Sequence, residues 1–265
     1  MSSRFPTLLD RADPAEIRTD PFPHLVIEDA LPADLYAALA ATRLTCDQII
    51  GPPPHPSNRR FAWSTRMMLW DDRATPTWKA FVTAHTSAAF VADTLTLFAD
   101  HLPDGFPLPG LGTSVGVFER DDHSQHPILA DARLELNTPV MGHASSVRGA
   151  HVDTPNRLYS CLFYMRAEGD DSVGGDLSLF RYTGAVPDPV DALQFKPTQV
   201  QSVLTVPYRA NRVVLYPNSR FAIHGVTPRH PTPHERAYVF VTAEQERDWF
   251  DAQGPMAART GMGPP

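Results

Sequence analysis

The sequence HVDTPNRLYSCLFYM occupies residues 151–165. It begins with His151 and Asp153, two positions apart, and continues into an apolar and aromatic run over 158–165. In a strand, residues i and i+2 point to the same face, so this imidazole and this carboxylate would project into one cavity. Alone, the pair is a weak signal, because 11 histidines and 30 acidic residues make about one His-x-acid pair expected by chance.

Short β-rich runs continue on both sides of this stretch. Since no long helix separates them, they predict an all-β sandwich or barrel. The runs cover residues 113–119, 133–138, 158–165, 176–181, 200–206, 211–216, 221–227 and 236–242.

The two ends of the chain have a different sequence pattern from the β-rich middle. The predicted elements there are a poorly ordered lead-in (1–23), a strand (24–28), helices from Leu31 to Arg43 and from Thr75 to Leu102, and a last helix from Ala243 to Gln253. We therefore expect a single domain over 1–265. Its expected parts are an N-terminal helical and strand layer (1–110), a β core (111–245), and a C-terminal helix and tail (246–265).

Composition excludes several classes of function. The chain has 265 residues, 42% of them apolar, and a net charge of −7, which argues against a protein whose main task is to grip nucleic acid. No apolar run is long enough for a membrane span, and no signal peptide is expected. The two cysteines, Cys46 and Cys161, form no disulfide framework, so a cytoplasmic location is the default expectation.

Two residues further along the sequence add to the candidate site that begins with His151 and Asp153. His224 lies between apolar neighbours, where a histidine is more often a core residue than a ligand, and Arg236 alternates with apolar residues, where it must meet an anion or reach solvent. Taken together with His151 and Asp153, two imidazoles and a carboxylate can occupy one face of a metal, as in non-haem Fe(II) oxygenases. Cys161 is expected to be a small buried hydrophobe rather than a ligand.

With these motifs the sequence resembles the Fe(II)/2-oxoglutarate-dependent dioxygenases, in particular the prolyl-hydroxylase-like branch. The resemblance extends over about 111–245 and implies a double-stranded β-helix, a jelly-roll or cupin-like barrel. It is carried, in order, by residues 151–156, 162–165, 174–180, 212–217, 224–228 and 236–238.

The resemblance also implies roles for individual residues. His151, Asp153 and His224 match the iron ligands, Arg236 matches the residue that pairs with the distal carboxylate of 2-oxoglutarate, and Tyr164 would offer a phenol to the same carboxylate. The implied reaction uses Fe(II), 2-oxoglutarate and O2, with ascorbate as reductant in vitro, and yields succinate and CO2. A carboxylate at position 153 favours hydroxylation or desaturation over halogenation.

Other polar residues near these motifs are candidates for binding the substrate. They are Arg148, Arg157, Asn137 and Arg229, and Arg229 is also a rival to Arg236 as the 2-oxoglutarate anchor. If two or more of the arginines face the cavity, the substrate could be anionic. Two loop-rich stretches, 51–60 and 121–146, could cover the site.

Four functions remain open at this point. The leading expectation is hydroxylation of a small, possibly anionic molecule, and a close variant is a protein or peptide hydroxylase. A non-catalytic barrel that binds a ligand and a cupin-like isomerase or hydrolase using another divalent metal are the remaining alternatives. No nucleic-acid or membrane partner is expected.

Overall fold

The computed structural model describes residues 4–110, 112–186, 190 and 193–252. The fold is mainly β, and each of the eight predicted β-rich runs contains a strand. The strands are β1 (Leu25–Ile27), β2 (Arg60–Trp63), β3 (Val115–Val117), β4 (Ile128–Asn137), β5 (Arg157–Tyr164), β6 (Leu177–Tyr182), β7 (Val200–Val206), β8 (Arg212–Pro217), β9 (His224–Val226) and β10 (Arg236–Gln245).

The strands form two sheets. The larger sheet has the order β1-β8-β5-β10-β4-β2, with β3 parallel to β4 and the other pairs antiparallel. The smaller sheet has the order β7-β6-β9 and is antiparallel. Antiparallel strands whose side chains meet those of a second sheet are typical of two packed sheets.

The two faces of the larger sheet differ in their surroundings. One face carries Leu134, Phe163, Val213 and Val239, which share an apolar cluster with helix residues such as Phe81. The opposite face packs against the smaller sheet. Leu162, Tyr164, Leu177, Leu179, Val214, Tyr216 and Tyr238 form the core there. Since side chains alternate between faces, this second face is the one that surrounds the functional residues.

In the part of the chain that the structure describes, five α-helices precede β3. They are α1 (Ala33–Ala41), α2 (Cys46–Ile50), α3 (Thr65–Trp70), α4 (Pro76–His85) and α5 (Ala88–Leu97). Among the described residues, no helix is both long enough and apolar enough to cross a bilayer.

The predicted helix from Thr75 to Leu102 is wrong in one respect, because it is two helices. The first helix ends at His85, and Ser87 begins the second as its N-cap: the Ser87 hydroxyl oxygen accepts a hydrogen bond from the backbone N–H of Phe90. Val91, Leu95 and Phe98 are buried after the break.

Both chain ends also differ from prediction. The predicted helix from Ala243 to Gln253 is absent from its described part, because β10 continues to Gln245, paired with Ile128 of β4, and bends follow. Gln253 and the tail after it lie outside the described residues. The predicted loose lead-in is wrong for its described part, since Leu8 is fully buried in the core.

Candidate metal centre

His151 and Asp153, two positions apart in the sequence, meet His224, which lies on β9 of the smaller sheet. The backbones of His151 and His224 exchange two hydrogen bonds, of 2.8 and 2.9 Å, which places the imidazoles side by side with ring centroids 4.1 Å apart. Nε2 of His151 is 3.8 Å from Oδ1 of Asp153, and Nε2 of His224 is 3.8 Å from its Oδ2. Within the described chain, this buried group of possible donors has three members.

Both imidazoles are oriented for metal binding. Nδ1–H of His151 donates to the carbonyl of Gly149 at 2.8 Å, and Nδ1–H of His224 donates to the carbonyl of Ala222 at 3.0 Å. A proton on Nδ1 leaves the Nε2 lone pair of a neutral ring facing Asp153. Burial, chiefly, lowers the pKa of both histidines, so the neutral form is favoured.

The carboxylate of Asp153 is held by several donors. Ser160 donates its hydroxyl proton to Oδ2 at 2.5 Å, and Nη1 of Arg157 and of Arg148 lie 3.1 and 3.5 Å from Oδ1. Burial alone would raise the pKa of Asp153, but Arg157, His224 and Arg148 hold it well below its usual range. Asp153 is therefore an anion, as a metal ligand must be.

The donor set suits a ferrous ion. Two neutral imidazoles and one carboxylate, with no thiolate among them, form the arrangement that leaves one side of the metal open in non-haem iron sites. Cys161, which was expected to be a buried hydrophobe, lies on the opposite, apolar face of β5. The three predicted ligands are thus brought together, and the geometry fits the predicted metal.

A row of unpaired polar groups begins next to the triad. The ring of Tyr216 is 5.1 Å from the ring of His224, and its hydroxyl is buried without a hydrogen-bond partner. The hydroxyl of Tyr164, on the neighbouring strand β5, is also buried and unpartnered. Burial raises the pKa of Tyr164 to about 12, so the phenol keeps its proton and can donate it in a hydrogen bond.

Arg236 stands at the other end of this row. It is 1% exposed, and its guanidinium carbon lies 5.3 Å from the ring centroid of Tyr164. Its Nε–H donates to the carbonyl of Gly175 at 2.8 Å, whereas its Nη2 is buried without a partner. A buried guanidinium with an unused donor is costly unless an anion completes it. Together, these donors without hydrogen-bond partners fit a small carboxylic acid that reaches from the triad to Arg236.

Arg229, the predicted rival of Arg236, has other partners. Its Nη1 donates to Asn58 Oδ1 and to the carbonyl of Thr138, both at 3.3 Å, and its Nη2 donates to the carbonyl of His234 at 2.7 Å. These contacts tie both Nη atoms of Arg229 to the loops, and its buried Nε has no partner. In Arg236, by contrast, a terminal nitrogen, Nη2, is the one without a partner.

The two loop stretches that were predicted to cover the site contact each other. Asn58 Nδ2 donates to the backbone carbonyl and the hydroxyl of Ser145, at 2.8 and 2.9 Å. The stretch 121–146 is less loop-like than predicted, because β4 occupies its middle.

The remaining predicted substrate residues have distinct positions. Arg148 and Arg157 reach the triad through Asp153. Asn137 pairs with Arg236 across the β4–β10 ladder, and its Nδ2 is buried without a partner, so it lies beside the anchor rather than over the triad.

The sequence reasoning missed Tyr216, Ser160, Arg60 and Glu135. The Glu135 carboxylate lies 3.3 Å from Nη1 of Arg60 and accepts a hydrogen bond from the hydroxyl of Tyr238. One signal was available for Glu135: polar residues occupy every second position of β4, at Asp131, Arg133, Glu135 and Asn137. That alternation on an otherwise apolar strand indicates a polar interior face.

Comparisons with known proteins give matches among solved structures only. No protein-family model matches the chain, and no curated protein does. A prolyl 4-hydroxylase from Phytophthora capsici is 17% identical with a TM-score of 0.47, and the match covers 90% of this chain but 65% of that one.

Two further similar structures have comparable scores. A prolyl hydroxylase from Trichoplax adhaerens, in complex with a fragment of a hypoxia inducible factor, is 12% identical with a TM-score of 0.46 and covers 85% of each chain. HygX from Streptomyces hygroscopicus, with nickel and 2-oxoglutarate bound, is 14% identical with a TM-score of 0.39, covering 84% of this chain and 83% of that one. Two of these three structures are prolyl hydroxylases.

Proposed function

We propose that this protein is an Fe(II)/2-oxoglutarate-dependent oxygenase that hydroxylates an unactivated C–H bond of a small molecule. The observation that carries the proposal is the buried triad of His151, Asp153 and His224, followed by unpaired hydroxyl and guanidinium groups that end at Arg236. In this proposal, residues 111–245 are a double-stranded β-helix core supported by an N-terminal helical layer.

Each residue has a defined task. His151, Asp153 and His224 would hold the metal, and Ser160 and Arg157 keep the Asp153 carboxylate oriented. Arg236 would pair with the distal carboxylate of 2-oxoglutarate, with Tyr164 donating its phenolic proton to the same group. When bound, iron and 2-oxoglutarate supply the oxidising chemistry: decarboxylation to succinate and CO2 is coupled to insertion of one oxygen atom from O2 into the C–H bond.

The surrounding core excludes water from this chemistry. Leu162, Leu177 and Val214 form the apolar lining next to the tyrosines. A dry cavity strengthens the pairing of Arg236 with an anion, because little solvent screens the charges.

The test is release of CO2 from carboxyl-labelled 2-oxoglutarate in the presence of Fe(II) and ascorbate. We expect turnover without added substrate, and a fall of about 100-fold or more in His151→Ala and Asp153→Ala, because each loses a metal ligand. Arg66→Gln, at an exposed position outside the site, is the matched control and should keep full turnover. Equal CO2 release by the ligand variants and the wild type would refute the proposal, and no release from any form would favour a binding module.

A further inference from the structure

Three guanidinium groups surround the carboxylates of the metal centre. Arg148 and Arg157 approach Asp153, and Arg60 approaches Glu135. Arg60 pairs with Asn137 across the β2–β4 ladder, and Asn137 pairs with Arg236 across the β4–β10 ladder, so these side chains share one face of the larger sheet. That face carries the proposed anchor for 2-oxoglutarate, and Asp153, which Arg148 and Arg157 contact, belongs to the proposed metal centre. The three guanidiniums therefore line the same polar interior.

The three arginines differ in how free they are. The side chain of Arg157 is 14% exposed, and it is held at 3.1 Å from Asp153 and 5.0 Å from the ring centroid of Phe240. The side chains of Arg148 and Arg60 each remain 30% exposed. Among the described residues, the hydrogen bond of the Arg148 guanidinium is a single long contact of 3.5 Å with Asp153. Arg148, beside Asp153, and Arg60, beside Glu135, thus keep donors available.

Arg60 is held in place by a neighbouring carboxylate. Glu135 lies next to it and is itself fixed by the hydroxyl of Tyr238, its partner across the β4–β10 ladder. Glu135 raises the pKa of Arg60, so this guanidinium stays charged. A charged group fixed by neighbours loses little further freedom when it binds a ligand.

The net charge of these five side chains and their ligands would become more positive when the metal and 2-oxoglutarate bind. Three guanidiniums face two carboxylates, Asp153 and Glu135, and Asp153 would be a metal ligand. A divalent metal would add two positive charges, and one carboxylate of 2-oxoglutarate would offset one of them. Excess positive charge in a partly buried site is unfavourable until an anion compensates it.

We infer that the substrate carries an anionic group, a carboxylate or a phosphate, which binds between the guanidiniums of Arg60 and Arg148. This inference rests on the proposed function and names the substrate class for the same site. Planar guanidiniums bind either group through parallel hydrogen bonds, so the two anions share one recognition chemistry. The anionic end would fix the substrate while another part of it faces the open side of the metal.

The experiment uses the full chain loaded with Mn(II) in place of iron and with saturating 2-oxoglutarate, the protein being in excess over metal. Bound Mn(II) accelerates the proton relaxation of any small molecule that binds nearby, even weakly. The probes are benzoate, phenyl phosphate and the neutral benzyl alcohol, and the same protein loaded with Zn(II) is the diamagnetic control. We expect relaxation of benzoate, phenyl phosphate or both, and none of benzyl alcohol.

The variants locate the binding site. Arg148→Gln and Arg60→Gln should each weaken binding of the anionic probe by about tenfold or more, since each loses a charge-assisted contact. Arg66→Gln removes an exposed guanidinium elsewhere and should bind the probe like the wild type. In every variant, relaxation of the 2-oxoglutarate protons reports that the protein is folded and loaded.

The outcomes distinguish a failure of the inferred substrate class from a failure of the proposed function. If 2-oxoglutarate is relaxed but neither anion is, or if benzyl alcohol is relaxed as strongly, the inference of an anionic substrate is overturned and the proposed function stands. Equal losses in Arg66→Gln and Arg148→Gln would also overturn it, because they would indicate non-specific attraction. If bound Mn(II) does not accelerate the proton relaxation of 2-oxoglutarate, the proposed function is refuted. The inference of an anionic substrate is then refuted as well, because it rests on that function.

Discussion

Two buried arginines, Arg229 and Arg236, lie close together near Gly175, yet they have different uses. A Cβ atom added at Gly175 would lie 2.9 Å from Cγ of Arg229 and 3.2 Å from Cδ of Arg236. Both Nη atoms of Arg229 donate to oxygens of the loops and only its Nε is without a partner, whereas Arg236 retains an unpartnered Nη2 at the tip of its guanidinium. These hydrogen bonds, which sequence spacing does not reveal, are the reason why Arg236 is proposed as the anchor for 2-oxoglutarate.

Substitution of Arg236 should therefore affect the co-substrate and not the metal. In Arg236→Gln, we expect the KM for 2-oxoglutarate to rise by about 30-fold or more, because a buried charge-assisted pair contributes at least about 2 kcal/mol. Mn(II) affinity measured by calorimetry should be unchanged. A normal KM in Arg236→Gln, together with a raised KM in Arg229→Gln, would identify Arg229 as the anchor.

A histidine outside the site makes stability depend on pH. Nδ1–H of His85 donates to the carbonyl of Phe81 at 2.7 Å, and Nε2 accepts the backbone N–H of Leu8 at 3.0 Å. Burial lowers the pKa of His85 to about 4. A protonated ring could not accept the bond from Leu8, so the neutral form joins the N-terminal segment to α4.

The sign of the effect follows from proton binding. An unfolded histidine has a pKa of about 6.5, so between about pH 6.5 and 4 the unfolded chain binds more protons, and stability falls as pH falls. We expect His85 to contribute up to about 3 kcal/mol to this loss. Urea unfolding at pH 7 and pH 4.5 should show a smaller loss for His85→Gln than for the wild type, and equal losses would contradict the assignment.

At the scale of elements, the turn before β6 is constrained by its neighbours. Gly174 has φ of +82°, and a Cβ atom there would lie 1.9 Å from the carbonyl oxygen of Pro228. This turn brings the Gly175 carbonyl to Arg236, so its shape supports the proposed co-substrate site. The backbone approach, and not only the positive φ, requires glycine.

A matched pair of variants separates these two causes. Gly142 has φ of +81° with nothing within 4 Å of an added Cβ, so Gly142→Ala should cost about 1 kcal/mol for the backbone conformation alone. Gly174→Ala should cost about 3 kcal/mol or more, because the collision with Pro228 is added. Urea unfolding measures both free energies, and equal losses would show that the close approach does not matter.

The elements show how far the sequence could predict the fold. All eight β-rich runs contain strands, because alternation and β-branched or aromatic residues report local burial directly. The break at Ser87 was missed, since one capping hydroxyl ends a helix inside a continuous helical pattern. The continuation of β10 to Gln245 was missed because it depends on pairing with β4, which is a tertiary contact.

At the scale of the whole molecule, the site joins distant parts of the chain. His151, Asp153, His224 and Arg236 were candidates from the sequence because the motifs that resemble the family contain them. Arg60 lies in β2 and Glu135 in β4, and they meet each other only because these two strands pair in the larger sheet. Tyr216 likewise enters the site through the pairing of β8 with β5. Such residues cannot be found from spacing, because sheet order sets their positions.

The central claim is that His151, Asp153 and His224 hold one ferrous ion that 2-oxoglutarate chelates. An anaerobic titration of Fe(II) into the protein with 2-oxoglutarate, followed by visible absorption, tests it directly, since an α-keto acid bound to ferrous ion gives a charge-transfer band. We expect the band to saturate at one Fe(II) per chain and to be absent in Asp153→Ala and His224→Ala. Asp171→Ala, in a second, partly exposed group of possible donors with Asp170 and His234, should keep it. A band that persists without Asp153 or His224, or that disappears in Asp171→Ala, would contradict the account.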